Sequence, residues 1–276
     1  MIPSADDARG TLGADDAQVL LRADRAVPVV LVHPFPVHAE FLTPLAVQLR
    51  SAGWTVLTPD LPGFGTRADE LTDIDVEPSL DYFAEDLATQ LDELGIGRAI
   101  IGGVSLGGYV AMAFLRLFPQ RVAGLLLVDT KAASDSDDAR EARLAFAHRV
   151  EDEGVGWVAD AMRDRLLGPT AQAEQPHTVS WVNEAIGSAQ PAALAWAQRA
   201  MADRPDSGQL LADYPGPALV VVGADDVLSS AAEAAAMADA MAAAELRVIA
   251  DAGHFAALEN TPAVAAAISD WLTRRA

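Results

Sequence analysis

A chain of 276 residues, 51% hydrophobic and 21% charged, has the composition of a folded globular protein and the length of one large domain. With 40 acidic residues against 19 basic ones the net charge is −21, which repels phosphate backbones and anionic lipid headgroups; no nucleic acid and no membrane surface is expected as a partner. There is no Cys, which excludes disulfides, thiolate nucleophiles, zinc fingers and iron–sulfur clusters, and Lys131 is the single Lys.

Residues 1–10 carry Asp6 and Asp7 and show neither a basic n-region nor an apolar h-region. No apolar run reaches the ~18 residues of a membrane-spanning helix, so the expectation is a cytoplasmic protein. In chain order, 17–22 (QVLLRA) predicts a first strand, and 27–32 a nearly continuous apolar strand buried on both faces. A helix is expected over 39–52. A strand over 55–58 then runs into Pro59-Asp60-Leu61-Pro62-Gly63-Phe64-Gly65, a segment full of turn residues. Leu80, Phe83, Leu87, Leu91 and Leu94 recur at helical spacing, with Ser79 as N-cap and Gly95 at the other end. A strand over 99–104 leads directly into a helix that stops at Phe118, before Pro119. Further strands are predicted over 124–129, 218–223 and 246–249, and helices over 230–243 and 262–275. Alternating strands and helices of this kind build a parallel α/β sheet. Residues 132–210 break the rhythm: they hold Trp157, Trp181 and Trp196, three of five Trp, and read as amphipathic helices with no strand. They are expected to form a helical cap (132–210) inserted between two parts of one core (1–131 and 211–276).

The chemistry-bearing pattern is Gly103-Val104-Ser105-Leu106-Gly107, G-x-S-x-G between a strand and a helix. Small residues at 103 and 107 allow a sharp turn and close helix–strand packing. Ser105 is then strained and exposed beside a helix N-terminus, where free N–H groups favour developing negative charge. A Ser hydroxyl needs a base, and the base an orienting carboxylate. Asp226 follows the 218–223 strand in Gly223-Ala224-Asp225-Asp226, and His254 follows the next strand in Gly253-His254. All three lie just past the C-terminal ends of strands, where parallel sheets place their sites. The N–H of Leu106 is one oxyanion donor. The second is expected from His33-Pro34-Phe35-Pro36; neither Pro has an N–H, which leaves Phe35.

These segments resemble the α/β-hydrolase superfamily over nearly the whole chain. His33-Pro34-Phe35-Pro36 is similar to its HGFP-type oxyanion loop, 60–65 to its DLPGFG segment, and GGVSLGG to its nucleophile elbow. Gly223-x-x-Asp226 resembles its acid loop and Gly253-His254 its terminal G-H. The nearest flavour is that of bacterial small carboxylesterases, 3-oxoadipate enol-lactone hydrolases and cofactor-free haloperoxidases. Two positions depart from the pattern: Pro34 replaces the usual Gly, and Ser230 stands where a Pro usually follows the acid. The resemblance implies an α/β-hydrolase fold with a cap, no cofactor and no metal. It implies a small ester or lactone as substrate and cleavage through acyl-Ser105. A Ser nucleophile argues against the dehalogenase and epoxide hydrolase branches, which use Asp. A lactonase of the enol-lactone hydrolase type, a perhydrolase or haloperoxidase, and a non-catalytic ligand receptor are the competing readings.

Rival residues have plainer roles. The G-x-x-D register favours Asp226 over Asp225. Asp129 could supply the acid in variants of the fold, but is expected to anchor the cap junction. His33 should fix the oxyanion loop by hydrogen bonds. His38, His148 and His177 read as surface or rim residues. Asp135, Asp137 and Asp138 read as a solvated charge run without calcium-loop spacing. Lys131 could hold a substrate carboxylate, and its plain role is a surface amine. Trp157, Trp181 and Trp196 read as packing residues between cap helices that also border a pocket.

Overall fold

The structure, a computed structural model, describes residues 27–71 and 76–275. The strand expected over 17–22 lies outside the described residues. Six strands form one sheet: β1 (Val29–Val32), β2 (Val56–Leu57), β3 (Ala99–Val104), β4 (Val122–Val128), β5 (Ala218–Gly223) and β6 (Ala244–Ile249). Their order is β2-β1-β3-β4-β5-β6, and every pair is parallel. From β1 the chain moves outward to β2, returns past β1 to β3, and then proceeds the other way. The loops leaving β1 and β3 therefore diverge at their C-terminal ends and leave a crevice between them, the switch point at which open α/β sheets place their sites.

The strand runs at 29–32 and 218–223 are buried along their whole length, as their unbroken apolar sequence requires. β2 is shorter than expected and β4 begins two residues earlier. β6 begins at Ala244 rather than 246; it is an edge strand, half exposed through Arg247, so Glu245 fits it although an apolar pattern would not reveal it. The helix expected over 39–52 is divided into a 3₁₀ turn (Ala39–Leu42) and α1 (Thr43–Ser51), because Pro44 lacks the N–H that would continue a helix from residue 39. α2 (Leu80–Glu93) starts at Ser79, whose hydroxyl accepts from the Tyr82 N–H, and α3 (Leu106–Leu117) is buried through Leu115.

Between β4 and β5 lie α4 (Asp137–Glu153), α5 (Val158–Leu166), α6 (Pro169–Glu174), α7 (Pro176–Gly187), α8 (Pro191–Ala202) and α9 (Gly208–Ala212). Prolines open α6, α7 and α8, where the missing N–H costs nothing. α4 packs along α8, and α5 and α6 pack on α7. Asp135 corrects the expectation of a solvated charge run. Its side chain is 3% exposed and pairs with Arg204 at 2.8 Å and with Arg143. Burial alone would raise its pKa, but these two guanidinium groups hold it below the usual carboxylate value. Arg204 also donates to the Ala133 carbonyl and lies over the Tyr109 ring, so the chain leading into the helical insertion is fastened to the chain leading out. Asp137 and Asp138 occupy the first turn of α4 behind the Ser136 cap.

After β5 come α10 (Ala231–Ala240) and, beyond β6, α11 (Ala256–Glu259) and α12 (Thr261–Thr273). The sequence pattern passed over the short α11. Among the described residues no helix is long and apolar enough to cross a membrane.

Candidate active site

Ser105 sits between the last residue of β3 and the first of α3 with φ 51° and ψ −109°, a strained conformation for a non-glycine residue. Its neighbours explain why the turn holds. A Cβ on Gly103 would lie 2.6 Å from the Gly107 Cα, and one on Gly107 would lie 2.6 Å from the Val32 carbonyl carbon. Only bare backbone lets α3 press this closely on β1. The Ser105 N–H donates to Val128 at 2.9 Å, and its carbonyl accepts from Gly108 N–H at 2.9 Å and the Thr130 hydroxyl at 2.9 Å. The hydroxyl is thereby left free to point away from the turn.

Its Oγ lies 2.8 Å from His254 Nε2, and His254 Nδ1 lies 2.9 Å from Asp226 Oδ2. Since Asp226 only accepts, Nδ1 carries the proton and Nε2 accepts from the Ser105 hydroxyl. The other Asp226 oxygen accepts from the N–H groups of Leu228 at 2.7 Å and Ser229 at 2.9 Å, which fixes the carboxylate plane. His254 is 3% exposed and Asp226 6%, whereas Asp225 is exposed and its backbone N–H donates to the Ala252 carbonyl. Ser230, one of the two departures from the family pattern, caps α10 through a reciprocal pair with Glu233.

The peptide between Phe35 and Pro36 is cis. Among the described residues, neither the Phe35 nor the Leu106 N–H has an acceptor. His33 is fully buried beneath this loop: Nε2 accepts from Leu61 N–H at 3.2 Å, and Nδ1 donates to the Pro34 carbonyl at 3.1 Å. Burial lowers its pKa, and with both nitrogens engaged it acts as a strut for the loop.

Two further carboxylates lie under the site. Asp129, at φ 45°, accepts from Gly223 N–H at 2.8 Å and Ala256 N–H at 3.1 Å. Its carboxylate therefore ties the end of β5 to the start of α11, beside His254, rather than anchoring the cap junction, the role expected from the sequence. Burial, with the neighbouring Asp226 charge second, pushes its pKa well above the ordinary value. Glu259 accepts from Gly253 N–H at 3.0 Å, Phe255 N–H at 3.0 Å and Gly168 N–H at 2.7 Å. Burial raises its pKa against the pull of those three donors. Glu259 is not among the sequence-predicted site residues; its signal is a lone acid directly after the apolar run from Phe255 to Leu258, five residues after His254.

Phe35 meets Phe146 edge-on at 5.7 Å, and Phe146 packs on Trp157 at 4.8 Å. Trp181 packs against His38 and Phe41, and Phe41 against Phe255, beside His254. Trp196 contacts Tyr82 and Phe83 on α2 instead. A cavity of about 420 Å³ opens between the 36–40 loop, the 60–68 loop and the α7–α8 turn, bordered by His38, Glu40, Asp60, Thr66 and Gln190. Lys131 lies 3.9 Å from Glu233; His148 and His177 are exposed. Among the described residues no three His, Asp or Glu side chains converge as metal ligands.

Residues 29–267 match the model of the alpha/beta hydrolase family. A thermophilic esterase from Thermogutta terrifontis is 38% identical, with 91% of each chain covered and a TM-score of 0.86. A 2-hydroxy-6-oxononadienedioate/2-hydroxy-6-oxononatrienedioate hydrolase of Burkholderia vietnamiensis is 27% identical over 241 residues, 81% of this chain and 78% of that protein. Lipase 3 of Moraxella sp. (strain TA144) is 32% identical over 127 residues; that match spans 44% of this chain and only 38% of the lipase. The parallel sheet with its helical flanks, the strained serine at the β3–α3 turn and these matches agree, and the chain belongs to the alpha/beta hydrolase family.

Proposed function

We infer that the protein is a serine hydrolase of small carboxylic esters. The observation that carries this reading is the continuous relay from Ser105 to His254 (2.8 Å) to Asp226 (2.9 Å) at a strained strand–helix turn. Ser105 Oγ attacks the acyl carbon as its proton passes to His254 Nε2. Asp226 holds the tautomer and stabilises the imidazolium. The N–H groups of Phe35 and Leu106 receive the oxyanion, the second from the start of a 12-residue helix whose dipole favours negative charge. The proton on His254 then goes to the leaving alcohol. Water, deprotonated by the same imidazole, cleaves acyl-Ser105 to the carboxylic acid and restores the serine.

Residues 132–210 serve in this reading as the cap. Support comes from Phe146 against Phe35, Trp181 against His38, and the Phe255 N–H bound to the Leu166 carbonyl at 3.0 Å. The resemblance to an esterase over 91% of the chain favours an open ester over a lactone. Initial rates on p-nitrophenyl acetate and butyrate, set beside a γ-lactone of similar size, test this directly. Preferred turnover of the esters is expected. Turnover of the lactone alone would replace the reading with a lactonase, and turnover of neither would remove it.

A further inference from the structure

We propose that Glu259 is a positioning residue for His254, holding the imidazole on Ser105 and locking one segment of the helical insertion to it. The proposal rests on the role given to His254 above. Glu259 receives the N–H groups on both sides of His254, those of Gly253 and Phe255, and a third from Gly168, 91 positions away in the insertion. The donors converge on one carboxylate 6% exposed. A neutral amide in its place would present its own N–H₂ to at least one of them, leaving buried donors unpaired.

Other contacts show that the junction is built closely. A Cβ on Gly168 would stand 2.7 Å from Gly253 N, and one on Gly253 would lie 2.8 Å from Gly168 Cα. The two backbones touch, and side chains on either would separate them. The Phe255 N–H donates to Leu166, and the Gln175 amide donates to the Glu259 carbonyl at 2.9 Å. The loop bearing His254 is therefore bounded by the insertion on one side and by Glu259 below. Glu259 is the carboxylate that receives both N–H groups flanking the imidazole, while Leu166 shares the Phe255 N–H and Asp129 holds the next one, that of Ala256. A shift of the loop lengthens the bond to Ser105, and misplacement by about 1 Å costs on the order of 100-fold in rate.

The test compares wild type with E259Q and E259D, all checked for folding by melting temperature and run well below it. One readout is kcat and KM on p-nitrophenyl butyrate. The other is the far-downfield proton resonance of the Nδ1–H held between His254 and Asp226, which requires no turnover. For E259Q we expect kcat lowered about 10- to 100-fold with KM within about two-fold, and the resonance broadened or lost. E259D, which keeps the charge on a shorter stem, should recover part of both; if E259Q does not fold, a loss in E259D below wild type carries the same conclusion. Unchanged kcat and an unchanged resonance in the folded variants would overturn the proposal while leaving the hydrolase reading intact. Should the wild type itself hydrolyse no ester, the hydrolase reading falls, and the resonance alone still decides the role of Glu259.

Discussion

Three buried carboxylates lie within one small region and differ only in what they face. Asp226 meets a ring N–H and two backbone N–H groups, Asp129 two backbone N–H groups and a neighbouring anion, and Glu259 three backbone N–H groups. Of the three, Asp226 bonds the imidazole that is proposed to take the Ser105 proton, so loss of Asp226 should damage turnover most. D226N should lower kcat by about 10⁴-fold, the size of effect seen when an imidazole is left in the wrong tautomer, while D225N stays within a few-fold of wild type. Kinetics on one ester decide this, and the reverse ranking would contradict the assignment. Asp129 makes a different prediction. Its pKa is raised in the folded protein, so between the unfolded and folded values the native state binds more protons than the unfolded chain. Its contribution is fully present below the unfolded pKa and is lost as pH rises through the folded one. Melting temperatures of wild type and D129N from pH 4 to 8 should therefore diverge, with the wild type losing ground relative to D129N as pH rises. Parallel curves would contradict the shift. Asp226 stands out in the sequence because it completes a G-x-x-D register with Gly223, and it lies 2.9 Å from His254 Nδ1. Asp135 does not stand out, because its partners Arg143 and Arg204 lie 8 and 69 residues away and nothing local marks the pairing.

At the scale of elements, legibility followed burial. β1 and β5 are sealed on both faces, so unbroken apolar runs announced them. β6 has one open edge, and Glu245 and Arg247 sit there as an ion pair that breaks the pattern. α11 is four residues long, too short for any helical period to appear. The three Trp residues of the insertion, alike in sequence, separate by neighbour. Trp157 reaches the Phe35 ring through Phe146, and Trp181 touches His38 and Phe41, whereas Trp196 is wedged on α2. W157A and W181A should change the ranking among ester chain lengths by up to about 10- to 200-fold, the range that a methylene or two in a pocket commands. W196A should scale all chain lengths together and lower stability by about 3–5 kcal/mol, as large-to-small changes at buried aromatic positions do. Chain-length profiles and urea unfolding of the three variants check both halves. A W196A profile that reorders the esters would contradict the division.

Across the whole molecule, the sheet order explains why distant segments meet. Reversal at β1 opens a crevice between the ends of β1 and β3, and the loops after β5 and β6 close over it from the far side. Ser105, Phe35, Asp226 and His254 each arrive on a separate loop, and the sheet aligns them. The helical insertion is fastened at its base by Arg204 and Asp135, at the His254 loop by Gly168 on Glu259, and on α2 by Trp196. All of this proposed chemistry turns on Ser105 as the nucleophile. Exposure to a fluorophosphonate, followed by digestion and mass analysis, tests it most directly, with wild type beside S105A. One adduct is expected on the Ser105 peptide of the wild type, with ester turnover lost in proportion, and none on S105A. An adduct on another residue, or full turnover by S105A, would contradict it.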